Sequence, residues 1–456
     1  MPAYTAATGA GQVSGDMRRR QLTRAVVAST IGSTIEWYDT TLYGLLVPLY
    51  IGRLFFPSGD PVTSALAGFS SLLVSFAFRP VGGALFGHFG DRLGRKATLV
   101  ATLLLGGVAT TLIGLVPTYA EIGIAAPILI TVLRMFVGMS LGGEWGGAVL
   151  MALEWSNDRR RGLWASVPQM AIVGATVLGF LAVLGSRALV GADSWWVWRL
   201  PFLLSILLVA VGLYMRLGIL ETPAFVRLLE TRRPERQPVL RVVRWQGREL
   251  ALTALLRMGE QAPLLVFTTF FLVYATTALH FKQGTAVIIS ILSGLFGVAC
   301  PPLFGYLGDR IGRRRVFLLG ACAMIVYGIP YFWLLGTRNA AVVLAAQIVG
   351  QVIAAAMAGP EAALIPEAFT GRLRYSGASI GAGVGAFISG GLASIIATGL
   401  FQHFRNATPV GIYIVFCGLV SWMAASRLTE RSDQDLSVEY DDAPELPGAR
   451  VTVRAR

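Results

Sequence analysis

Apolar residues run along this chain in twelve long stretches, near positions 25 to 50, 64 to 89, 97 to 116, 122 to 152, 163 to 190, 198 to 219, 249 to 279, 285 to 307, 316 to 335, 340 to 367, 376 to 403 and 409 to 427. A helix that crosses the hydrocarbon core of a bilayer needs about 20 mostly apolar residues, and each stretch is about that long or longer. The polar gaps between them are short, except for Glu221 to Arg248, which holds Arg232, Arg233, Arg236, Arg241 and Arg244 with Pro223, Pro234 and Pro238. That gap divides six stretches from six. The pattern predicts an all-α membrane protein of twelve transmembrane helices in two six-helix pseudo-repeats. The predicted order is a tail (1–24), a bundle (25–220), a linker (221–248), a second bundle (249–428) and a tail (429–456). The last tail is acidic and then basic, contains Pro444 and Pro447, and reads as disordered.

The gaps alternate in charge. One set holds Arg92 and Arg95, Arg159 to Arg161, the linker arginines, Arg310 with Arg313 to Arg315, and Arg372 with Arg374; the other holds little more than Arg53, Arg187, Lys282, Arg338 and Arg405. Cytoplasmic loops are the ones enriched in Lys and Arg, so the first set is predicted inside. Both termini are then cytoplasmic, as an even number of spans requires, in a multi-pass protein of the bacterial plasma membrane. Residues 1–24 lack an apolar signal-peptide core and end in Arg18, Arg19, Arg20 and Arg24, which reads as an inside tail.

Composition sharpens this. With 55% hydrophobic and 14% charged residues, the chain is too apolar for an ordinary soluble domain. The net charge of +13 would be compatible with nucleic acid binding, but its arginines cluster in the gaps, so the lipid bilayer is the expected partner. Cys300, Cys322 and Cys417 lie in separate apolar stretches and read as small buried hydrophobes. No cofactor or metal site is expected.

One phrase occurs twice, Gly87-His88-Phe89-Gly90-Asp91-Arg92-Leu93-Gly94-Arg95-Lys96 and Gly305-Tyr306-Leu307-Gly308-Asp309-Arg310-Ile311-Gly312-Arg313-Arg314, with Asp91 and Asp309 offset by 218 positions. The same offset carries Asp39 onto Arg257 and Glu144 to the neighbour of Glu361. A parallel repeat of apolar helices points to a transporter.

The G-x-x-x-D-R-x-G-R-[RK] turn after the second and eighth stretches resembles the major facilitator superfamily. The phrases Ile35-Glu36-Trp37-Tyr38-Asp39, Phe78-Arg79-Pro80-Val81-Gly82-Gly83, Gly142-Gly143-Glu144-Trp145-Gly146-Gly147, Glu221-Thr222-Pro223-Ala224-Phe225 and Arg374-Tyr375-Ser376-Gly377-Ala378 are similar to its metabolite:proton symporter branch. That branch includes permeases for shikimate, alpha-ketoglutarate, citrate, and proline with glycine betaine. The resemblance implies the major facilitator fold in a monomer that moves solutes by alternating access. Two departures stand out: Thr40 replaces a usual Phe, and the second turn reads Gly-Asp-Arg where Ser-Asp-Arg is common. Neither removes an ionisable group.

An ionisable side chain at mid-membrane costs a few kcal/mol on insertion scales, which makes each one a functional candidate. Glu36, Asp39 and Tyr43 share a face of the first helix, and Arg134 on the fourth lies at a depth matching Glu36. Protonating a carboxylate that faces an arginine frees the guanidinium for an anionic substrate. Arg134 also opens the R-x-x-x-G phrase ending at Gly138, which resembles the family motif associated with proton coupling. Asp39, Glu36 and Arg134 are therefore proton-coupling candidates; a permanent ion pair that only fixes packing is the competing reading.

On the seventh helix, Arg257, Glu260 and Gln261 cluster: an arginine fork suits a carboxylate and Gln261 a hydroxyl, while a local Arg257–Glu260 pair would explain them structurally. Gln169, Gln347 and Gln351 read either as further ligands or as packing hydrogen bonds. The substrate candidates are Tyr43, Arg134, Gln169, Arg257, Glu260, Gln261 and Gln351. In the basic turns Asp91, Arg92, Arg95, Asp309, Arg310 and Arg313 form a candidate cytoplasmic gate latch, against the plainer reading of a loop brace. His88, His280 and His403 fall away from the midplane. Gly138, Gly142 and Gly146 on the fourth helix, and Gly377, Gly381 and Gly385 on the eleventh, mark close helix contacts. Their G-x-S-x-G matches lack the strand-turn-helix setting of a nucleophile elbow, and no Walker A phrase is present, so neither a hydrolase nor direct ATP drive is expected. The expected function is proton-coupled symport of a small organic acid, shikimate-like or a dicarboxylate. A carrier of zwitterionic compatible solutes and a non-transporting membrane sensor remain as alternatives.

Overall fold

A computed structural model describes residues 15–156, 158–191, 194–231 and 235–431. Residues 1–14, most of the second tail, and Arg232, Arg233 and Pro234 of the linker lie outside the described residues. Among those described, twelve long helices follow one another: α1 (Gly15–Leu46), α2 (Pro61–Leu93), α3 (Arg95–Ile113), α4 (Ala125–Trp155), α5 (Arg161–Val190), α6 (Arg199–Leu217), α7 (Gly247–Thr277), α8 (Gln283–Ile311), α9 (Arg313–Gly336), α10 (Ala340–Glu367), α11 (Arg374–Phe404) and α12 (Thr408–Arg427). Eleven are long and apolar enough to cross a membrane by themselves. The exception is α1, whose middle holds Glu36 and Asp39 among serines and threonines. It starts at Gly15, ten positions before the expected span, so Arg18 reaches the carbonyl of Ser156 at the end of α4 (2.7 Å).

The packing is inverted relative to a soluble protein. Val326 and Trp333 are 74% and 67% exposed on the outer surface, while Arg95, Arg134, Arg216, Arg313 and Arg374 are among the largest fully buried side chains. Apolar surface toward lipid and charge toward the bundle interior is what a bilayer solvent selects. Cys417 is buried as expected, but Cys322 is exposed on that apolar exterior and Cys300 half-buried.

The repeated basic phrase is mostly helix. α2 turns into α3 at Gly94 alone (φ +109°), and α8 into α9 at Gly312 (φ +103°), positions where a side chain would be strained. The linker contains two short helices, Pro223–Thr231 and Pro238–Trp245. After α12 the chain stays docked, with Glu430 accepting from the backbone N–H of Arg313 (2.7 Å).

Two glycine-lined crossings join the halves. A methyl on Gly83 or Gly87 of α2 would come 2.6 Å from the backbone of α11 at Ser379 or Ser376, and one on Gly162 of α5 would come 2.7 Å from the carbonyl of Gly305 on α8. Gly138 and Gly142 instead press α4 onto α2 within the first half, and Gly385 presses α11 onto Ala254 of α7. Helices that line the centre are locally irregular: α1 continues through a wide π turn at Val47–Ile51, α7 contains one at Val266–Phe270, and α11 one at Phe387–Gly391. α5 carries a tight turn at Val167–Met170.

Candidate functional site

In the first half, Asp39 and Arg134 form a fully buried ion pair. Thr110 donates to the other oxygen of Asp39 (2.9 Å), and the guanidinium lies 4.3 Å from the centre of the Tyr43 ring. Tyr43 in turn meets Ser71, oxygen to oxygen at 2.5 Å. Glu36 does not face Arg134 as its depth predicted. Three residues along a helix is a rise of about 4.5 Å, and that rise brings Asp39 rather than Glu36 level with Arg134. Glu36 accepts from Ser140 on α4 (2.9 Å). A cavity of about 10 Å³ lies between the two carboxylates, lined by Glu36, Asp39, Thr110, Ser140 and Ser205. Ile35, Leu103, Val137 and Leu141 complete a mostly apolar wall, and the space is about the size of one water. Glu144, one turn below Ser140, pairs with Arg216 of α6 and accepts from Thr102 (2.9 Å).

Between the halves lies a second cavity, about 30 Å³, walled by Glu36, Trp37, Arg79, Gly142 and Trp145 of the first half and by Arg257, Gly383 and Ala386 of the second. Arg257 reaches across to Glu361 of α10 (2.6 Å), and its Nε donates to Gln261 (3.1 Å). The local pair with Glu260 does not form, and Glu260 keeps one buried oxygen without a hydrogen-bond partner. The indole of Trp145 lies 4.5 Å under the Arg257 guanidinium and donates to Gln169 (3.3 Å). Gln351 packs against Gly297 of α8 and Gln347 donates to the carbonyl of Phe267 (3.0 Å), so neither lines this cavity. Arg79 does line it, and sequence reasoning passed over it although an arginine inside an apolar stretch was itself a signal.

At the end of the bundle that carries the basic turns, two matching latches cross between the halves. Asp91 accepts from the backbone N–H groups of Tyr375 (3.2 Å) and Ser376 (2.9 Å) and from the Ser376 hydroxyl (2.8 Å), at the start of α11. Asp309 accepts from the N–H groups of Gly162 (2.8 Å) and Leu163 (2.9 Å), at the start of α5. Each carboxylate thus caps a helix of the opposite half, where free N–H groups and the helix dipole favour a negative charge. Beneath them Arg95 sits between Asp91 (3.8 Å) and Glu154 (3.3 Å), and Arg313 between Asp309 (2.8 Å) and Glu367. Glu221 accepts from the backbone N–H of Arg95 (3.1 Å) and Lys96 (3.2 Å). Burial pushes the Glu221 carboxyl above its usual range, with the Thr222 N–H and Arg95 pulling back.

Arg92 and Arg310 stay out of the latches. One residue on from the aspartate is about 100° around a helix, which turns them outward: Arg92 meets His88 (3.2 Å) and Arg310 lies 4.7 Å from the Tyr306 ring. Glu154, Glu367, Glu221 and Glu430 were not anticipated. Glu154 and Glu367 play equivalent parts in the two halves, as do Glu221 and Glu430, but at sequence offsets of 213 and 209 rather than 218, so the repeat did not flag them.

The sequence pattern of the Major Facilitator Superfamily matches residues 29–374. The shikimate transporter of Escherichia coli (strain K12) is 34% identical over 419 residues, covering 90% of this chain and 95% of that one. The proline/betaine transporter of the same organism is 30% identical over 443 residues, covering 94% and 88%. Among solved structures, the proton:xylose symporter XylE of E. coli, bound to 6-bromo-6-deoxy-D-glucose, superposes with a TM-score of 0.75 over 92% of this chain and 98% of that one. At 17% identity, that likeness is one of fold.

Proposed function

Because this chain belongs to the Major Facilitator Superfamily, and is a membrane-embedded transporter of small metabolites rather than an enzyme, we propose that it imports a small organic acid together with protons by alternating access. The observation that carries the reading is that Glu36 lines both cavities, the water-sized one it shares with Asp39 and the central one it shares with Arg257. A carboxylate in that position exchanges protons with Asp39 on one side and senses a bound anion on the other. In this mechanism Asp39 and Glu36, with Arg134 as the fixed positive partner, take the coupling proton. Arg257 receives the substrate carboxylate, helped by Gln261 and Gln169.

Charge counting supports proton coupling. The cluster holds five carboxylates (Glu36, Asp39, Glu144, Glu260, Glu361) and four guanidiniums (Arg79, Arg134, Arg216, Arg257). One proton neutralises it, and a second makes room for one anionic substrate. Carrying an anion inward against the potential is opposed by about 2.3 kcal/mol per charge at 100 mV, so accumulation needs co-transported cations. With the arginine-rich end in the cytoplasm, the two latches close the cytoplasmic gate in the conformation described.

Proteoliposome uptake under an inward proton gradient tests this, with shikimate, 4-hydroxybenzoate, alpha-ketoglutarate, citrate and glycine betaine as solutes. We expect one of the acids to accumulate and a protonophore to abolish the accumulation. Accumulation of glycine betaine alone would move the reading to zwitterionic solutes, for which the proline/betaine relative provides a precedent. Uptake that ignores the protonophore and follows sodium overturns proton coupling.

A further inference from the structure

Arg79 sits near the middle of α2 and is 5% exposed, yet its Nε and Nη2 have no hydrogen-bond partner and no described carboxylate forms an ion pair with it. Arg134, Arg216 and Arg257 each hold one. A guanidinium does not give up its proton inside a protein, so Arg79 is a buried charge awaiting a counter-ion. Two aromatic faces contact it: its guanidinium carbon lies 3.9 Å from the Phe76 ring centre and 5.4 Å from that of Trp37. Such contacts stabilise a cation without neutralising it. The charged groups facing it are Glu36 and Asp39 of α1, Arg134 of α4 and, across the cavity, Arg257 of the other half.

We propose that Arg79 and Arg257 form a clamp, one guanidinium from each half, that closes on a single carboxylate of the transported molecule. This deepens the organic-acid reading and rests on it. Two guanidiniums that repel each other across the cavity both attract a carboxylate placed between them, so the anion ties the halves together at the moment they close. Glu36 regulates the clamp: ionised, it screens Arg79; protonated, it leaves the guanidinium to the substrate. The indoles of Trp37 and Trp145 flank the same space and suit a flat, apolar or ring-shaped body behind the carboxylate. The substrate class is therefore a compact acid with a carbon-ring body. A betaine is disfavoured, because its cationic head lies one carbon from the carboxylate and would stand beside two arginines. The cavity of about 30 Å³ is too small for such a molecule, so loading happens with the halves parted.

The test is substrate counterflow in proteoliposomes, which needs no net proton movement, run with shikimate, 4-hydroxybenzoate, alpha-ketoglutarate and glycine betaine on the wild type, Arg79→Lys and Arg79→Gln. For the acid that the wild type exchanges, Arg79→Lys, which keeps charge and loses the fork, raises KM about tenfold or more. Arg79→Gln abolishes exchange while its melting temperature holds or rises, since an unpaired buried charge has been removed; a merely structural arginine would give a lower melting temperature. The uncharged methyl ester of the same acid does not exchange in any of the three. Unchanged KM in a folded Arg79 variant overturns the clamp and leaves the organic-acid reading standing. Exchange of glycine betaine alone, or of no acid by the wild type, overturns both.

Discussion

Asp39 and Arg134 satisfy each other in a setting with little else to offer: the guanidinium has a tyrosine ring and one carboxylate, and the carboxylate has the guanidinium and one hydroxyl. Asp39→Asn keeps the shape and removes the charge, leaving Arg134 buried without a counter-ion. Breaking a buried pair this way costs about 3–5 kcal/mol, so the melting temperature of the purified variant is expected to fall. On the proposed mechanism, gradient-driven accumulation disappears while counterflow at equal proton activity persists, which vesicle assays separate; a variant that still concentrates substrate removes Asp39 from coupling. Arg257→Lys probes the other half. A lysine cannot serve Glu361 and Gln261 with one planar fork, so substrate binding is expected to weaken with a smaller change in melting temperature. Equal binding returns Arg257 to a packing role. These charges were legible in the sequence because burial in lipid is too costly to be accidental. Their pairings were not. Arg134 meets Asp39 rather than Glu36, and Arg257 meets Glu361 rather than Glu260, because partners depend on helix rotation and depth, which local spacing leaves open.

At the scale of elements, the latches are the parts that must open on the proposed alternating-access mechanism. Asp91 accepts three hydrogen bonds at the start of α11, and an asparagine there presents an N–H₂ group where one of its oxygens accepted. The loss is about 1 kcal/mol, typical of a weakened helix cap, and shifts the closed-to-open ratio roughly fivefold. Asp91→Asn is therefore expected to fold normally and to alternate abnormally. The measurement is alkylation of a cysteine placed at Ala386, which lines the central cavity, from the basic-turn side of the membrane. Unchanged labelling and a wild-type transport rate would remove Asp91 from the gate. The repeat announced that Asp91 and Asp309 would behave alike. It could not announce that each reaches into the opposite half, since the helix ends they cap, at Arg161 and Arg374, are far from them along the chain. The irregular turns were only partly legible as well. Pro48 and Pro263 stand in or just before the wide turns of α1 and α7, whereas that of α11 has no proline, so local sequence accounts for only part of them.

For the whole molecule, the open quantity is orientation. Ser58, in the α1–α2 connection, and Gln237, in the linker, are both exposed and lie at opposite ends of the arginine asymmetry. In a variant lacking Cys300, Cys322 and Cys417, a cysteine at Ser58 is expected to label from outside the cell and one at Gln237 only from inside; the reverse pattern sinks the proposed topology. The apolar period and the repeat determined by themselves that this chain is a bundle of twelve helices in two related halves, because a bilayer accepts little besides helices of that length. The distribution of arginine carries the expectation of which end faces the cytoplasm. Only tertiary structure decided that Arg79 stands unpaired over a central cavity, that Glu36 touches two cavities, and that four unanticipated acidic residues brace the latches. The reason is physical: lipid dictates length and polarity residue by residue, whereas an ion pair or a cavity exists only where helices distant in sequence approach to within a few ångströms.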